Sequence, residues 1–346
     1  MRLWILGASD PEIYEIERLL RGVGETVAYA SVGANWVHPG NAYEADGWIG
    51  GPDRPDLIVL VECGFCLDLQ LEFEAENYTP ITRIDHHRPG DPGYGQTPEK
   101  FLQASSLGQV ISQLASEVAG LTSFCWFGRS EGDNLIVWPD GFKEVDGGTS
   151  NRERSGTIHF ENGEWLVYAA LPGFRSKAVH IPDTAVFTAA ADHCLGAAYR
   201  GKCPGVDPDR LMAWRAKRRA LFQGREVEEL LADVEAARKI VRHARNLQAV
   251  RIYQGRLIGT ARGLYDAVSA PWGIANLLQQ RYHIPELPEA AAREGRAFIA
   301  SLRDRGGREK VVLQSASPKQ VRWFLDHCPV IDKYGDPARG FAGGYL

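Results

Sequence analysis

The sequence predicts a two-domain α/β protein. A parallel-sheet domain over residues 1–206 carries a β-rich insertion at about 121–181, a helical connector follows over 207–248, and a smaller C-terminal α/β domain fills 249–346. Three observations carry this expectation. Short apolar runs alternate with amphipathic ones in the first third, as in strands joined by helical crossovers. Aromatic runs with turn dipeptides follow from about residue 121, and dense charge at helical spacing follows residue 207.

In order along the chain, "RLWILGA" reads as a strand and "DPEIYEIERLLRGVG" as a helix with Asp10 at the N-cap and Pro11 at its first position. Ile13, Ile16, Leu19 and Leu20 fall on one face of that helix. "TVAYAS" is a strand, and the unbroken apolar run in "PDLIVLVECG" suits a strand buried on both faces of a parallel sheet. "ITRID" is a further strand and "SSLGQVISQLASEVAG" a helix. In the insertion, "CWFG", "NLIVWPDG" and "SGTIHFENGEWLVYAAL" read as strands, with Asp140-Gly141 and Asn162-Gly163 as hairpin signals. "TAVFTAAADHC" is expected to resume the sheet as a strand. The charged segment after 207 breaks near Gly224, giving two helices or one kinked helix. The last part reads as strands in "AVRIYQGRLIGTA", a helix around "PWGIANLLQQRY", a strand "KVVLQS", a helix "PKQVRWFLDHC" from Pro318, and a glycine-rich tail.

Bulk composition narrows the function. At 346 residues, 44% hydrophobic and 24% charged, the chain is long enough for two filled cores and is neither disordered nor fibrous. The run "LWILGA" is too short for a secretory core or a membrane span, so the expectation is a cytoplasmic protein with no membrane partner. A net charge of -5 argues against broad binding to duplex nucleic acid, which needs a basic surface. A short anionic ligand in one local pocket stays open. Six cysteines do not make a disulfide scaffold, and Cys63 and Cys66 form a single CxxC read as buried thiols ahead of structural zinc.

The chemistry gathers at expected strand ends: Asp10 and Glu12 after the first, Glu62 after "LIVLV", Asp85-His86-His87 after the next, and Asp192 in "AAADHC". Hard divalent ions that serve phosphoester hydrolysis want carboxylates with some imidazole, and open α/β sheets place ligands at the carboxyl ends of strands. In order and spacing these residues resemble the DHH phosphoesterase superfamily, which includes RecJ-type single-strand exonucleases, nanoRNases, cyclic-dinucleotide phosphodiesterases and manganese-dependent pyrophosphatases. The similarity extends to "SSLGQVI" after the tripeptide and to "VVLQSAS" and "YGDPARGFAGG" near the C-terminus. The sequence departs from the pattern in three places. Ala8 stands where the first motif has histidine, Glu62 where the second has aspartate, and the tail lacks the closing motif's histidine.

The resemblance implies a metal held by Glu12, Glu62, His86 and Asp192, and a second position keeping only Asp10 and Glu62. It implies Mn2+ (one or two ions, with Mg2+ as the substitute), Asp85 orienting the His86 ring, and His87 donating to the scissile phosphate. Asp85, His86 and His87 are thus the catalytic candidates. Substrate contacts would come from His87, Arg88, Ser315, Arg339, Gly343 and Gly344, Arg339 pairing with a terminal phosphate and exposed glycines bringing backbone N–H groups to the ligand.

Plainer explanations stand beside these. Asp10 is also a helix N-cap and Glu12 a first-turn acid favoured by the helix dipole. Asp183 competes with Asp192 for its role. The other histidines read as ordinary residues, except that His38 lies in a loop able to reach the site face. Basic "RAKRR" at 215–219 reads as the wet side of a helix. The functional expectation is a metal-dependent phosphoesterase cleaving a short oligonucleotide, a cyclic dinucleotide or another small nucleotide phosphodiester, in an architecture compatible with a homodimer. The alternatives are a degenerate nucleotide-binding or protein-interaction subunit without turnover, and a single-strand exonuclease whose insertion tryptophans stack bases.

Overall fold

The computed structural model describes residues 1–75, 79–116, 126–130, 133–137, 139–151, 154–171, 175–243, 249–253, 256–261, 286–303 and 309–345. It is a mixed α/β protein that divides into two compact units. One comprises 1–94 and 100–193, the other 95–99 and 194–346.

The first unit opens with β1 (Arg2–Leu6), α1 (Pro11–Gly22), β2 (Thr26–Val32), β3 (Asn35–Trp36), β4 (Gly47–Ile49), β5 (Leu57–Val61), α2 (Leu67–Ala75) and β6 (Ile81–Ile84). The sheet order is β3-β2-β1-β5-β6, with β1 parallel to β2 and to β5, and β5 parallel to β6. The short β3 and β4 run antiparallel to β2. "LIVLV" lies between β1 and β6 and is buried from Ile58 to Val61, as an unbroken apolar run requires. Helix α1 begins where its sequence says it should: Asp10 accepts a 2.7 Å bond from the Ile13 N–H, Pro11 follows, and Ile13, Ile16, Leu19 and Leu20 are buried.

Next come α3 (Phe101–Ala104), α4 (Ser106–Ser116), β7 (Trp126–Ser130), β8 (Asp133–Val137), β9 (Lys143–Asn151), β10 (Ile158–Glu161), β11 (Glu164–Leu171), β12 (Arg175–His180) and α5 (Asp183–Ala198). The insertion is β-rich: β7 pairs with β8, and four strands form an antiparallel sheet in the order β10-β11-β12-β9. Asn162 (φ 52°) and Gly163 (φ 87°) form the β10–β11 hairpin, both in the left-handed region that such a turn demands. Asp140-Gly141 makes no hairpin. Its turn joins β8 to β9, which belong to different sheets. Trp165 packs edge-on against Phe101 at 5.4 Å and is buried, so it is core and not a base-stacking platform.

The expected strand "TAVFTAAADHC" is a helix, α5, broken at Cys194 (φ -154°, ψ 42°). A buried apolar run has no period to separate strand from helix, and the alanines at 189–191 favour the helix.

The second unit holds α6 (Pro208–Gln223), α7 (Val227–His243), β13 (Ala249–Tyr253), β14 (Arg256–Ala261), α8 (Leu287–Arg293), β15 (Ala297–Arg303), β16 (Glu309–Gln314), α9 (Pro318–His327), β17 (Ile331–Asp336) and β18 (Phe341–Tyr345). Gly224, at φ 62°, ends α6, so the connector is two helices. The sheet order is β14-β13-β15-β16-β18-β17, parallel only between β13 and β15. Helix α9 starts with a capping box between Ser317 and Gln320. The helix expected around "PWGIANLLQQRY" lies outside the described residues.

Two expectations about this unit are corrected. The glycine-rich tail is strand, and Gly343 and Gly344 are buried in β18 between β16 and β17. A side chain on Gly343 would sit 2.5 Å from the Tyr334 ring, and one on Gly344 2.5 Å from Val330, so these glycines serve close packing and not ligand approach. The "RAKRR" run is only half wet. Lys217 and Arg218 are exposed, whereas Arg215 and Arg219 pair with the buried Glu289 and Glu286.

Candidate metal centre

The ends of β1, β5 and β6 place the acids and imidazoles. Gly7 continues the ladder by donating to Val61 O at 2.8 Å, and any side chain there would lie 2.2 Å from Glu62 O. Only glycine lets the ends of β1 and β5 approach so closely. Glu62, directly after β5, has φ 54°, a left-handed conformation unusual for a residue with a side chain. Its carboxylate is buried.

Glu62, His86, His87 and Asp192 come together: one donor atom from each lies within 4.8 Å of the others. His86 Nε2 is 3.0 Å from Asp192 Oδ2 and 3.9 Å from Glu62 Oε1. Asp192 reaches this point from helix α5 and not from a strand end. Asp10 and Glu12 stand outside the four-residue group, with other bonds of their own. Asp10 caps α1, and Glu12 Oε1 accepts from the Leu107 N–H of α4 at 3.0 Å.

The electrostatics tie all four acids together. Burial, then the charge of Asp192, pushes Asp10 up to about 7. Burial and the same Asp192 charge raise Glu12 well above the usual range, and burial followed by the charges of Asp10 and Glu12 does the same to Glu62. Glu12 Oε2 and Glu62 Oε1 are buried oxygens with no hydrogen-bond partner among the described residues. Such a set is short of positive charge, and carboxylates mixed with imidazole suit a divalent cation.

The metal-free protein is therefore expected to lose stability as pH rises. Asp10 titrates near 7 in the folded chain against 3.8 ordinarily, so its contribution is complete below about 4 and is lost as pH climbs through 7. The slope is about 1.4 kcal/mol per pH unit for each proton retained. Thermal unfolding at pH 5 and pH 8 in chelator, and again with Mn2+, measures this. A divalent ion held there is expected to flatten the dependence, and a profile already flat in chelator would refute the shared-charge account.

Asp85 does not orient the His86 ring as expected. It orients His87: Asp85 Oδ1 lies 2.9 Å from His87 Nδ1 and accepts the backbone N–H groups of His86 at 2.7 Å and His87 at 3.1 Å. Burial opposes ionisation of Asp85, but His87 and the Tyr43 hydroxyl outweigh it and hold the carboxyl below the usual range. Tyr43 donates to Asp85 Oδ2 at 2.8 Å. Sequence reasoning missed Tyr43, while noting that its loop could reach the site through His38. His38 instead accepts from the Gly40 N–H through Nδ1 at 3.1 Å. His193, read as ordinary, stands edge-on to His86 with ring centroids 5.1 Å apart. Arg88 lies over the Tyr43 ring at 3.5 Å. Asp183 opens α5 and is not in the four-residue group.

In the second unit, Ser315 and Arg339 line a cavity of about 760 Å³ together with Arg200, Lys202, Arg296 and Ser317. Ser315 has φ 55°, and its hydroxyl is buried without a hydrogen-bond partner among the described residues. Arg339 is buried, its guanidinium 5.5 Å from the Phe341 ring. Cys63 is a buried thiol donating to Ile5 O at 3.5 Å, and it and Cys66 take no part in the metal-ligating group. Among the described residues no helix is long and apolar enough to cross a membrane. Comparison with protein-family models, curated proteins and solved structures finds no match.

Proposed function

We propose that the chain is a metal-dependent phosphoesterase of the DHH type, acting on a short oligonucleotide, a cyclic dinucleotide or another small nucleotide phosphodiester. One observation carries the reading: Glu62, His86, His87 and Asp192 converge within 4.8 Å among carboxyls that raise one another's proton affinity. Glu62, His86 and Asp192 would hold the ion, Mn2+ by the resemblance or Mg2+ in its place, with Asp10 and Glu12 adding negative charge beside it. When bound, such an ion polarises a phosphoryl oxygen and makes water a better nucleophile.

The chain's own residues supply the rest. Asp85 holds Nδ1 of His87, which leaves Nε2 to face a phosphoryl oxygen of the substrate. Arg88, beside Tyr43, is a further cation for the same group. Within the second unit, the cavity around Ser315 and Arg339 suits an anionic group, Arg339 offering a planar fork. The net charge of -5 supports a small anionic substrate over a long polymer.

The reading without turnover draws on Ala8, an apolar residue buried in the core at the place of the first motif's histidine. It predicts one ion at most. Ala8→His is expected to add or tighten a second Mn2+, measured as metal stoichiometry by mass spectrometry or calorimetry; an unchanged stoichiometry would count against the alignment. The function itself is tested by metal content and hydrolysis of short oligonucleotides, cyclic dinucleotides and long single strands, with and without Mn2+. No turnover on any of them, together with no bound metal, overturns the enzyme reading. Preference for long single strands would favour the exonuclease.

A further inference from the structure

We infer that Tyr43 is the positioning residue of this centre: its hydroxyl fixes the Asp85 carboxylate and, through it, the orientation of the His87 imidazole. The inference rests on the reading of His87 as a working residue of the site, and it starts from the distribution of donors around one buried carboxylate. Asp85 is fully buried. Its Oδ1 receives the His86 N–H at 2.7 Å, the His87 N–H at 3.1 Å and the His87 ring nitrogen Nδ1 at 2.9 Å. Its Oδ2 receives the Tyr43 hydroxyl at 2.8 Å. Two backbone amides locate Oδ1, but rotation of the carboxylate about its own axis is opposed at Oδ2 by Tyr43. A rotated carboxylate would release Nδ1, and with it the choice of which imidazole nitrogen faces Glu62, His86 and Asp192.

Tyr43 is itself held for that task. Residues 42–45 are zipped to the stretch just after Glu62: Gly64 N–H donates to Ala42 O at 3.0 Å, Ala45 N–H to Gly64 O at 3.1 Å, and Cys66 N–H to Ala45 O at 2.8 Å. The segment presenting Tyr43 is therefore registered against the segment presenting Glu62. Gly64 faces the tyrosine ring, and a side chain there would stand 3.4 Å from it. On the ring's face lies the Arg88 guanidinium at 3.5 Å, a cation–π contact that limits the ring's tilt. The Arg88 backbone N–H is in turn fixed by Asp91 at 2.6 Å, and Asp91 also pairs with Arg83. Burial and the Asp85 charge push the phenol far above its ordinary range, so it stays a donor and never competes with Asp85 for a proton. Tyr43 itself meets Asp85 and Arg88 and acts on the site through them, which separates it from the catalytic candidates.

Tyr43→Phe removes one oxygen and keeps the ring on which Arg88 sits. In protein labelled with 15N at histidine and freed of metal, the wild type is expected to show a downfield, slowly exchanging proton on His87 Nδ1, assigned by its absence in His87→Gln. In Tyr43→Phe that proton should shift and exchange faster, with both ring tautomers populated. With Mn2+ added, kcat on a small phosphodiester such as bis-p-nitrophenyl phosphate should fall about 10–100-fold, the usual cost of an outer partner to a site histidine, with KM little changed and the unfolding midpoint lowered by the lost buried hydrogen bond. A purely structural tyrosine would lower the midpoint too but leave the His87 signal where it was. A wild type without the Nδ1 proton, or a variant that keeps it unaltered, overturns the proposal. A wild type that shows the proton but neither binds Mn2+ nor turns over refutes the phosphoesterase reading, and the imidazole comparison still decides the role of Tyr43.

Discussion

His86→Ala is expected to abolish Mn2+ binding and to bring phosphodiester hydrolysis down to background. His86 is fully buried, and its Nε2 faces Asp192 at 3.0 Å and Glu62 at 3.9 Å, so its removal takes an imidazole that stands between the two carboxylates. Loss of a direct ligand exceeds the about 10–100-fold penalty typical of partners one shell out. Stability gives a second readout. At about a hundredfold excess of metal over Kd, the wild type should gain about 2.7 kcal/mol from Mn2+, and His86→Ala should gain nothing. Calorimetric titration and thermal unfolding with and without Mn2+ measure the two effects. Equal Mn2+ affinity in the two proteins would remove His86 from the ligand set and with it the proposed centre.

Glu289→Ala is expected to cost about 3–5 kcal/mol, the usual penalty for breaking a buried ion pair from one side. Glu289 takes Arg215 in a two-pronged pair, Nη2 to Oε2 at 2.7 Å and Nε to Oε1 at 2.9 Å, and also accepts from the Tyr199 hydroxyl. Burial opposes ionisation of Glu289, yet Arg215 more than compensates and holds it below the usual carboxyl range. Taking the glutamate away leaves the half-buried guanidinium without its carboxylate. Urea denaturation followed by fluorescence should show a lower midpoint at unchanged slope. The double variant Arg215→Met/Glu289→Leu should recover most of the loss, since apolar residues of similar size fill the space without a desolvation cost. A single variant as stable as the wild type would show that the pair lies in a wetter environment than its burial indicates.

What was legible in the sequence is what short-range chemistry determines. Asp10 and Pro11 announce α1, Asn162-Gly163 announces a hairpin, Pro318 announces α9, and "LIVLV" announces a buried parallel strand, because each depends on neighbours a few residues away. Asp85-His86-His87 was legible for the same reason, standing right after β6. The route taken by Asp192 was not, because "TAVFTAAAD" is apolar throughout and only tertiary packing decides between strand and helix. The family pattern gives Asp85 the ring of His86, whereas it holds that of His87, since ring orientation depends on a carboxylate geometry that no spacing encodes. Tyr43 lies 42 positions from the carboxylate it serves. No local period reveals it, although a loop after β2 is able to reach the site face. In the tail the glycines were visible but their use was not, because a glycine that admits a ligand and one that admits a neighbouring ring look alike in sequence.

The left-handed backbone at Glu62 bears on how this protein would respond to engineering. An ordinary side chain in that conformation costs of order 1–3 kcal/mol, and glycine would release it. A library sorted for heat resistance alone would therefore enrich Glu62→Gly and discard the carboxylate that faces His86, yielding a tougher protein with an emptied centre. Sorting for resistance to heat in the presence and absence of Mn2+, side by side, would keep the glutamate and show how much stability has been given up to place it there.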